Sequence, residues 1–341
     1  ASLVRMRSPV QIRSAAPKAN RLKAVRFFMS RKFTRKGETT NLKIRNSLLL
    51  LLTATIWGVA FVAQSVGMDY VGPYTFLFAR SVIGGIVLLP IVAVLHKNAP
   101  LPAPENAEKK RQARKTLLLG GVCCGTALCF ASIFQQIGLL YTTVGKSGFL
   151  TACYILIVPL FGLLLGRRCG KLVLCGVALA IVGLYFLCLT DGLSVNLGDL
   201  LTFICAILFS VHIMVIDHFS PLTDGVKMSC IQFFVCAILA GAGMLFFEHP
   251  SFSAILAAWK PILYAGALSS GAAYTLQIIG QRGMNPTVAS LIMSLESVIS
   301  VLAGWIILHQ TLSGREIFGC VLMFIAIVLA QLPDKSAAAV K

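Results

Sequence analysis

The sequence predicts an all-α integral membrane protein with ten transmembrane helices in two inverted five-helix repeats. Three observations carry that expectation. Of 341 residues, 57% are hydrophobic and 12% charged, and mean hydropathy is +0.85. An average soluble domain is about 45–50% apolar and about 25% charged. The apolar residues gather into ten runs, each near the roughly twenty residues that cross a bilayer as a helix. The last five runs repeat features of the first five in the same order. Soluble globular and disordered chains are excluded. A secreted disulfide scaffold is excluded too, because the 11 Cys lie mostly inside apolar runs.

Residues 1–46 form a basic tail. They hold 13 of the 30 Lys and Arg against one acid, Glu38, so most of the net charge of +18 belongs to the tail. Residues 1–28 carry Arg5, Arg7, Arg13, Lys18, Arg21, Lys23 and Arg26 and no acid. Such a stretch fits a transit peptide or a lipid-binding arm. The favoured expectation is a start assigned too far upstream, with Met29 opening a short cytoplasmic leader, Ser30 to Asn46. The folded part is too apolar for a nucleic-acid partner.

The ten runs are approximately 47–66, 74–96, 116–139, 147–165, 172–189, 200–216, 226–247, 260–281, 287–308 and 315–332. None alternates as a barrel strand does, and backbone in lipid must satisfy its own hydrogen bonds, so the runs are helices. Lys and Arg in the connections set the orientation. The tail, the 97–115 linker, Arg167, Arg168, Lys171, Lys227, Arg282, Lys335 and Lys341 fall on one side. Lys146, Lys260 and Arg315 fall on the other, a tally of 26 against 3. Both termini are therefore expected in the cytoplasm, with the chain in the cytoplasmic (inner) membrane.

The repeat supports the division into halves. Ser147 through Gly176 parallels Ser290 through Gly319 at an offset of 143 residues. Gln135 and Gln136 parallel Gln277 and Ile278 at 142, and Trp57-Gly58 parallels Phe209-Ser210 at 152. The expected units are residues 47–189 and 190–334. Five is odd, so the second unit enters from the opposite side. Two antiparallel copies that exchange conformations convert an inward-open cavity into an outward-open one, as in secondary transporters.

The residues resemble a known family, the EamA-type transporters of the drug/metabolite transporter superfamily. Leu52 to Phe61, with Trp57-Gly58, resembles its opening segment, and Phe76 to Ser81 its intramembrane Phe-x-x-x-Arg element. Ser147 to Ala152 and Ser294 to Val298 resemble its paired core helices. Ser297 stands where the family often has Pro, which leaves a local kink open. Leu308 to Ser313 resembles its Gly-Glu-x-Leu-Ser turn, with His309 and Gln310 in place of Gly-Glu. The resemblance covers about residues 47–332. It implies ten helices in two halves and an inner-membrane transporter of small metabolites.

Candidate site residues follow from the cost of placing polar groups in lipid. A charge at the helix centre costs roughly 2.5–3.5 kcal/mol on insertion scales. Glu296 is the tenth residue of its run, about 14 Å in and near the midplane. It can bind a proton, a cation or a substrate amine, or stand as a neutral or paired structural acid. Arg80 lies about 9 Å inside its run. It can meet a substrate carboxylate, pair with Glu296, bond carbonyls at a helix end or snorkel outward. Gln135 and Gln277 occupy matching places in the halves and either line the pathway or bond between helices. Trp57, Phe61, Tyr74, Phe149, Tyr154 and Tyr274 can shape an apolar cavity or act as interfacial anchors. His212 is expected as a satisfied interhelical residue rather than a relay. Lys146 reads as a solvated charge at a helix mouth.

Small residues set packing in Gly121-x-x-x-Gly125 and Gly162-x-x-x-Gly166, and Gly266, Ser269, Ser270, Gly271 and Ala272 thin one side of the eighth run, which favours packing or else a cavity. The Cys residues read as small apolar residues, with no metal and no cofactor expected. The expected function is a secondary transporter of small organic metabolites, amino-acid-like, nucleobase-like or drug-like, working by alternating access and proton-coupled through Glu296. Runs 1, 3, 4, 6, 8 and 9 would line its cavity. The alternative is a membrane enzyme acting on a lipid or prenyl substrate, which would need clustered acids or a nucleophile with its base. Expected partners are a small-molecule metabolite and the lipid bilayer, with a homodimer left open.

Overall fold

The structure, a computed structural model, describes residues 18–98, 107–142, 144–166, 170–188, 196–307 and 313–332. The calls on Arg5, Arg7, Arg13, Arg167, Arg168, His309, Gln310, Lys335 and Lys341 lie outside the described residues, as do the side chains of Lys146 and Phe149. The chain divides into two units, residues 1–44 and residues 45–341. In the first, residues 18–44 are helical.

Among the described residues the chain is all helical. The helices are α1 (Lys18–Met68), α2 (Pro73–Asn98), α3 (Ala107–Leu139), α4 (Val144–Ala152), α5 (Tyr154–Leu164), α6 (Lys171–Cys188), α7 (Leu197–Phe219) and α8 (Gly225–Phe247). Then come α9 (Phe252–Ala257), α10 (Trp259–Leu263), a π-helix (Tyr264–Ala273), α11 (Tyr274–Gln281), α12 (Pro286–Met293), α13 (Glu296–Ile307) and α14 (Gly314–Gln331).

Among the described residues, seven helical segments are long and apolar enough to cross a membrane: Leu42–Met68, Pro73–Val94, Ala107–Leu139, Leu197–Phe219, Gly225–Phe247, Trp259–Gln281 and Pro286–Ile307. The other three expected runs contain shorter apolar helices, Leu150–Leu164, Lys171–Gly183 and Ile317–Leu329. Two expectations on the connections change. The expected leader Ser30 to Asn46 is helical, and α3 already starts at Ala107 inside the expected 97–115 linker.

Helix starts follow local chemistry. Asn196 and Asp199 form a reciprocal capping box at α7, and Asp224 accepts from the Val226 and Lys227 amides at α8. Asn285 caps α12, where Pro286 takes the first-turn position that needs no amide. Glu248, closing α8, accepts from the Tyr74 and Thr75 amides at 2.9 and 2.8 Å and from Thr75 Oγ1 at 2.6 Å. It thereby satisfies donors that the start of α2 would otherwise leave open.

Two of the expected runs are broken. The fourth stops at Ala152 and restarts at Tyr154, where the Cys153 amide bonds back to Leu150 O at 3.2 Å. The ninth stops at Met293 and restarts at Glu296, with Leu295 N–H to Ile292 O at 3.3 Å and Ser297 N–H to Ser294 O at 3.2 Å. These tight i→i−3 bonds replace the α-helical ones, so the ninth run breaks without the proline that Ser297 replaces.

Helix α6 packs along α14, α3 lies between α7 and α8, and α2 packs on α8 and the π-helix. Glycines allow the closest approach. A Cβ on Gly125 would lie 2.6 Å from Gln232 O, and one on Gly121 would overlap Ile231, so α3 and α8 meet backbone to side chain along this seam. Gly162-x-x-x-Gly166 departs from that expectation. Gly166 has a φ of +74° with nothing within 4 Å of an added Cβ, so it serves a turn after α5 and not a helix contact.

Candidate functional site

The two broken helices meet at their breaks. Tyr154 opens α5 and Glu296 opens α13, and Tyr154 Oη donates to Glu296 Oε1 at 2.9 Å. The pair is 142 residues apart, the same separation as Gln135 and Gln277. One residue on, Ser297 Oγ donates to Gly148 O at 3.0 Å, which ties α13 to α4. Helix α1 leans on the same place, since a Cβ on Gly58 would stand 2.8 Å from Glu296 O. The neighbouring Trp57 lines the same cavity as Glu296.

A cavity opens beside this crossing, with about 460 Å³ of empty space when the open solvent at its mouth is counted. Its floor and walls include Trp57, Phe61 and Gln64 from α1, Arg80 from α2, Gln135 from α3, and Thr151 and Tyr154 at the first break. Phe209 and Ile213 from α7, Ser269 from the π-helix, Tyr274 and Gln277 from α11, and Met293 and Glu296 at the second break complete it. The structure thus brings Trp57, Arg80, Gln135, Tyr154, Gln277 and Glu296 to one cavity. The lining runs are the expected six with the second added through Arg80.

The charged groups here are nearly out of solvent: Arg80 is 3% exposed and Glu296 5%. Arg80 does not snorkel. Its Nη1 donates to Gln64 Oε1 at 3.2 Å and its Nη2 to Ser132 Oγ at 3.0 Å, while Nε has no partner among the described residues. Each charge is held by neutral groups, and the expected Arg80–Glu296 pair is not what holds either. A buried charge without a counter-charge is costly unless something supplies one. Gln135 Nε2 donates to Thr151 Oγ1 at 3.2 Å, whereas Gln277 Oε1 and Trp57 Nε1 are buried without partners among the described residues.

The aromatic wall centres on Tyr274. Its ring lies 4.6 Å from Trp57, 5.6 Å from Phe233 and 5.9 Å from His212, centroid to centroid. His212 meets Gln232 at 3.2 Å through Nε2, and its Nδ1 has no partner among the described residues, so the expectation of a satisfied histidine holds for one nitrogen. Tyr74 departs from the cavity expectation. It sits at the start of α2 with its ring 5.4 Å from Phe247.

Several site residues have no sequence signal of their own. Gln64, Thr151 and Ser132 are ordinary polar residues of apolar helices, whereas Ser269 belongs to the small-residue stretch read for packing or a cavity. Phe209 did have one, since it matches Trp57 in the repeat, and both rings line the cavity.

Comparisons with known proteins agree with this architecture. The model of the EamA-like transporter family matches residues 45–189 and again residues 196–332. An Archaeoglobus fulgidus protein named "Uncharacterized transporter" is 28% identical over 284 residues, covering 83% of this chain and 84% of that protein. A Bacillus subtilis protein named "Uncharacterized transporter YoaV" is 21% identical over 288 residues, covering 82% and 94%. A solved structure titled "Crystal structure of protein" superposes with a TM-score of 0.69 at 18% identity, covering 86% of this chain and 98% of that one, and so shares the fold.

Proposed function

The chain belongs to the EamA-like transporter family, and on that premise we propose that it is a secondary transporter of small organic zwitterions, amino-acid-like in charge, working by alternating access. The observation that carries the reading is the pair of buried charges on one cavity, Arg80 and Glu296, each held by neutral groups alone. A solute bearing a carboxylate and an ammonium supplies the missing counter-charge to both, and an apolar body fits the wall of Trp57, Phe61 and Tyr274.

Ten spans in two inverted halves, residues 47–189 and 190–334, form the machine, with both termini in the cytoplasm. Two features support this. The family model matches twice, once per half. Helix contacts also pair the second run with the seventh, the fourth with the ninth and the fifth with the tenth (α2 with α8, α4 with α13, α6 with α14). A two-fold that exchanges the halves maps each such pair onto itself, and the breaks fall in corresponding helices, as inverted-repeat transporters require. Glu296 carries the coupling proton when solute is absent.

The test is a thermal-shift screen in detergent. Amino-acid-like zwitterions are each run beside the amine lacking the carboxylate and the acid lacking the amine. A zwitterion at about 100 times its dissociation constant should stabilise by about 2.7 kcal/mol. Both truncated partners should fail, and the shift should vanish in Glu296→Gln and in Arg80→Lys. Equal stabilisation by an amine or an acid alone, or none by any zwitterion on a folded protein, would reject the reading.

A further inference from the structure

The eighth run carries ten consecutive residues of π-helix, Tyr264–Ala273. π geometry occurs mostly as single turns within α-helices, frequently at functional sites. The segment Tyr-Ala-Gly-Ala-Leu-Ser-Ser-Gly-Ala-Ala contains no proline, and its Ala and Leu favour α-helix. The wider form is held from outside. Tyr264 Oη donates to Ile56 O of α1 at 3.1 Å, and Thr53 Oγ1 of α1 shares its one proton between Leu49 O at 3.0 Å and Ala273 O at 3.2 Å. Small residues seat it on α2: a Cβ on Gly84 would stand 2.7 Å from Ser270 Cβ, and one on Gly266 3.1 Å from Arg80 O. The form also has a cost, because Ser270 Oγ is buried without a partner among the described residues.

Its effect is on which residues share a face. In an α-helix, residues five apart lie about 140° from each other. Here the Tyr274 amide bonds to Ser269 O, five residues back, which stacks the two, and both line the cavity. In an α register the face of Ser269 would continue through Ala273 instead, which is now fully buried. Tyr274 would then leave the cavity, taking its contact with Trp57 with it.

We propose that Tyr264–Ala273 is a register switch of the transport cycle, π when Tyr274 closes the aromatic wall and α when the wall opens. The proposal rests on the transporter reading. Arg80 couples it to the solute, because Gly266 stands on the Arg80 carbonyl and a solute drawn to the guanidinium bears on that contact.

The test needs no transported solute, so it is decided apart from the zwitterion screen. Single cysteines at positions 269, 273 and 274 are exposed in nanodiscs to a small cationic methanethiosulfonate, and modification is read at each position by peptide mass spectrometry. In the parent chain Tyr274→Cys and Ser269→Cys should label and Ala273→Cys should stay silent. Deleting Ala267 favours the α register. Tyr274→Cys labelling should then fall at least tenfold and Ala273→Cys should label, with Ser269→Cys unchanged. Thr53→Val removes one tether and should raise Ala273→Cys labelling several-fold, while Thr53→Ser should not. The switch is overturned if the folded deletion labels like the parent, or if Thr53→Val and Thr53→Ser label Ala273→Cys alike. Should the deletion not fold, the Thr53 pair decides alone.

Discussion

At the scale of single residues, Glu296 does the work that a charge in lipid is kept for. Among the described residues its Oε1 accepts from the hydroxyl of Tyr154, a neutral group that tolerates either protonation state. Glu296→Gln keeps the shape and removes the exchangeable proton. In proteoliposomes the variant should lose uptake driven by a pH gradient and keep exchange of solute against solute. Unaltered pH-driven uptake would remove Glu296 from coupling. The same logic made the site legible. Glu296, Arg80, Gln135 and Gln277 stand out because polar groups in apolar runs are costly, and the cavity gathers all four. Ser132, Thr151 and Ser269 carry no such mark, since hydroxyls satisfy themselves on helix carbonyls and are common in any span. Tyr74, read as either a cavity wall or an anchor at a span end, sits at the end of its helix, where an aromatic ring serves packing as readily as a cavity.

At the scale of elements, the α3–α8 seam is decided by absent side chains. Gly125→Val would drive methyl groups toward Gln232 O, 2.6 Å from a first added carbon. Overpacking typically costs about 1–3 kcal/mol, and a seam backed by backbone relaxes poorly. The variant should melt well below the parent in detergent. Gly314→Ala, where nothing lies within 4 Å, should stay within about 0.5 kcal/mol. An equal melting point for both would mean that α3 and α8 do not meet there. The length of apolar runs located these helices, but not their interruptions. Hydrophobicity counts residues and is blind to whether a carbonyl is met four or five residues on. The break at Glu296 and the π-helix both arise from contacts with other helices, α4 and α5 for the first, α1 and α2 for the second. Neither was readable locally.

At the scale of the whole molecule, the ten crossings proposed above would put both termini on one face. A phosphatase that works outside the cytoplasm, fused after Lys341, should be inactive, and one inserted after Pro250 should be active. Activity at the C-terminus would make the number of crossings odd and end the two-by-five arrangement. The expected orientation rests on Lys and Arg crowding one side of the sequence, and this fusion pair is its test, whereas the seating of the halves against each other depends on tertiary contacts. The paired breaks have an electrical consequence for the assembled protein. Each restarted helix, α5 at Tyr154 and α13 at Glu296, brings the positive end of its dipole to its break, while α4 and α12, which stop at Ala152 and Met293, bring their negative ends to the same two places. Backbone ends of both signs therefore gather where the Glu296 carboxylate sits, so the protein's own main chain makes a polar centre at a place where no described lysine or arginine is paired with that carboxylate.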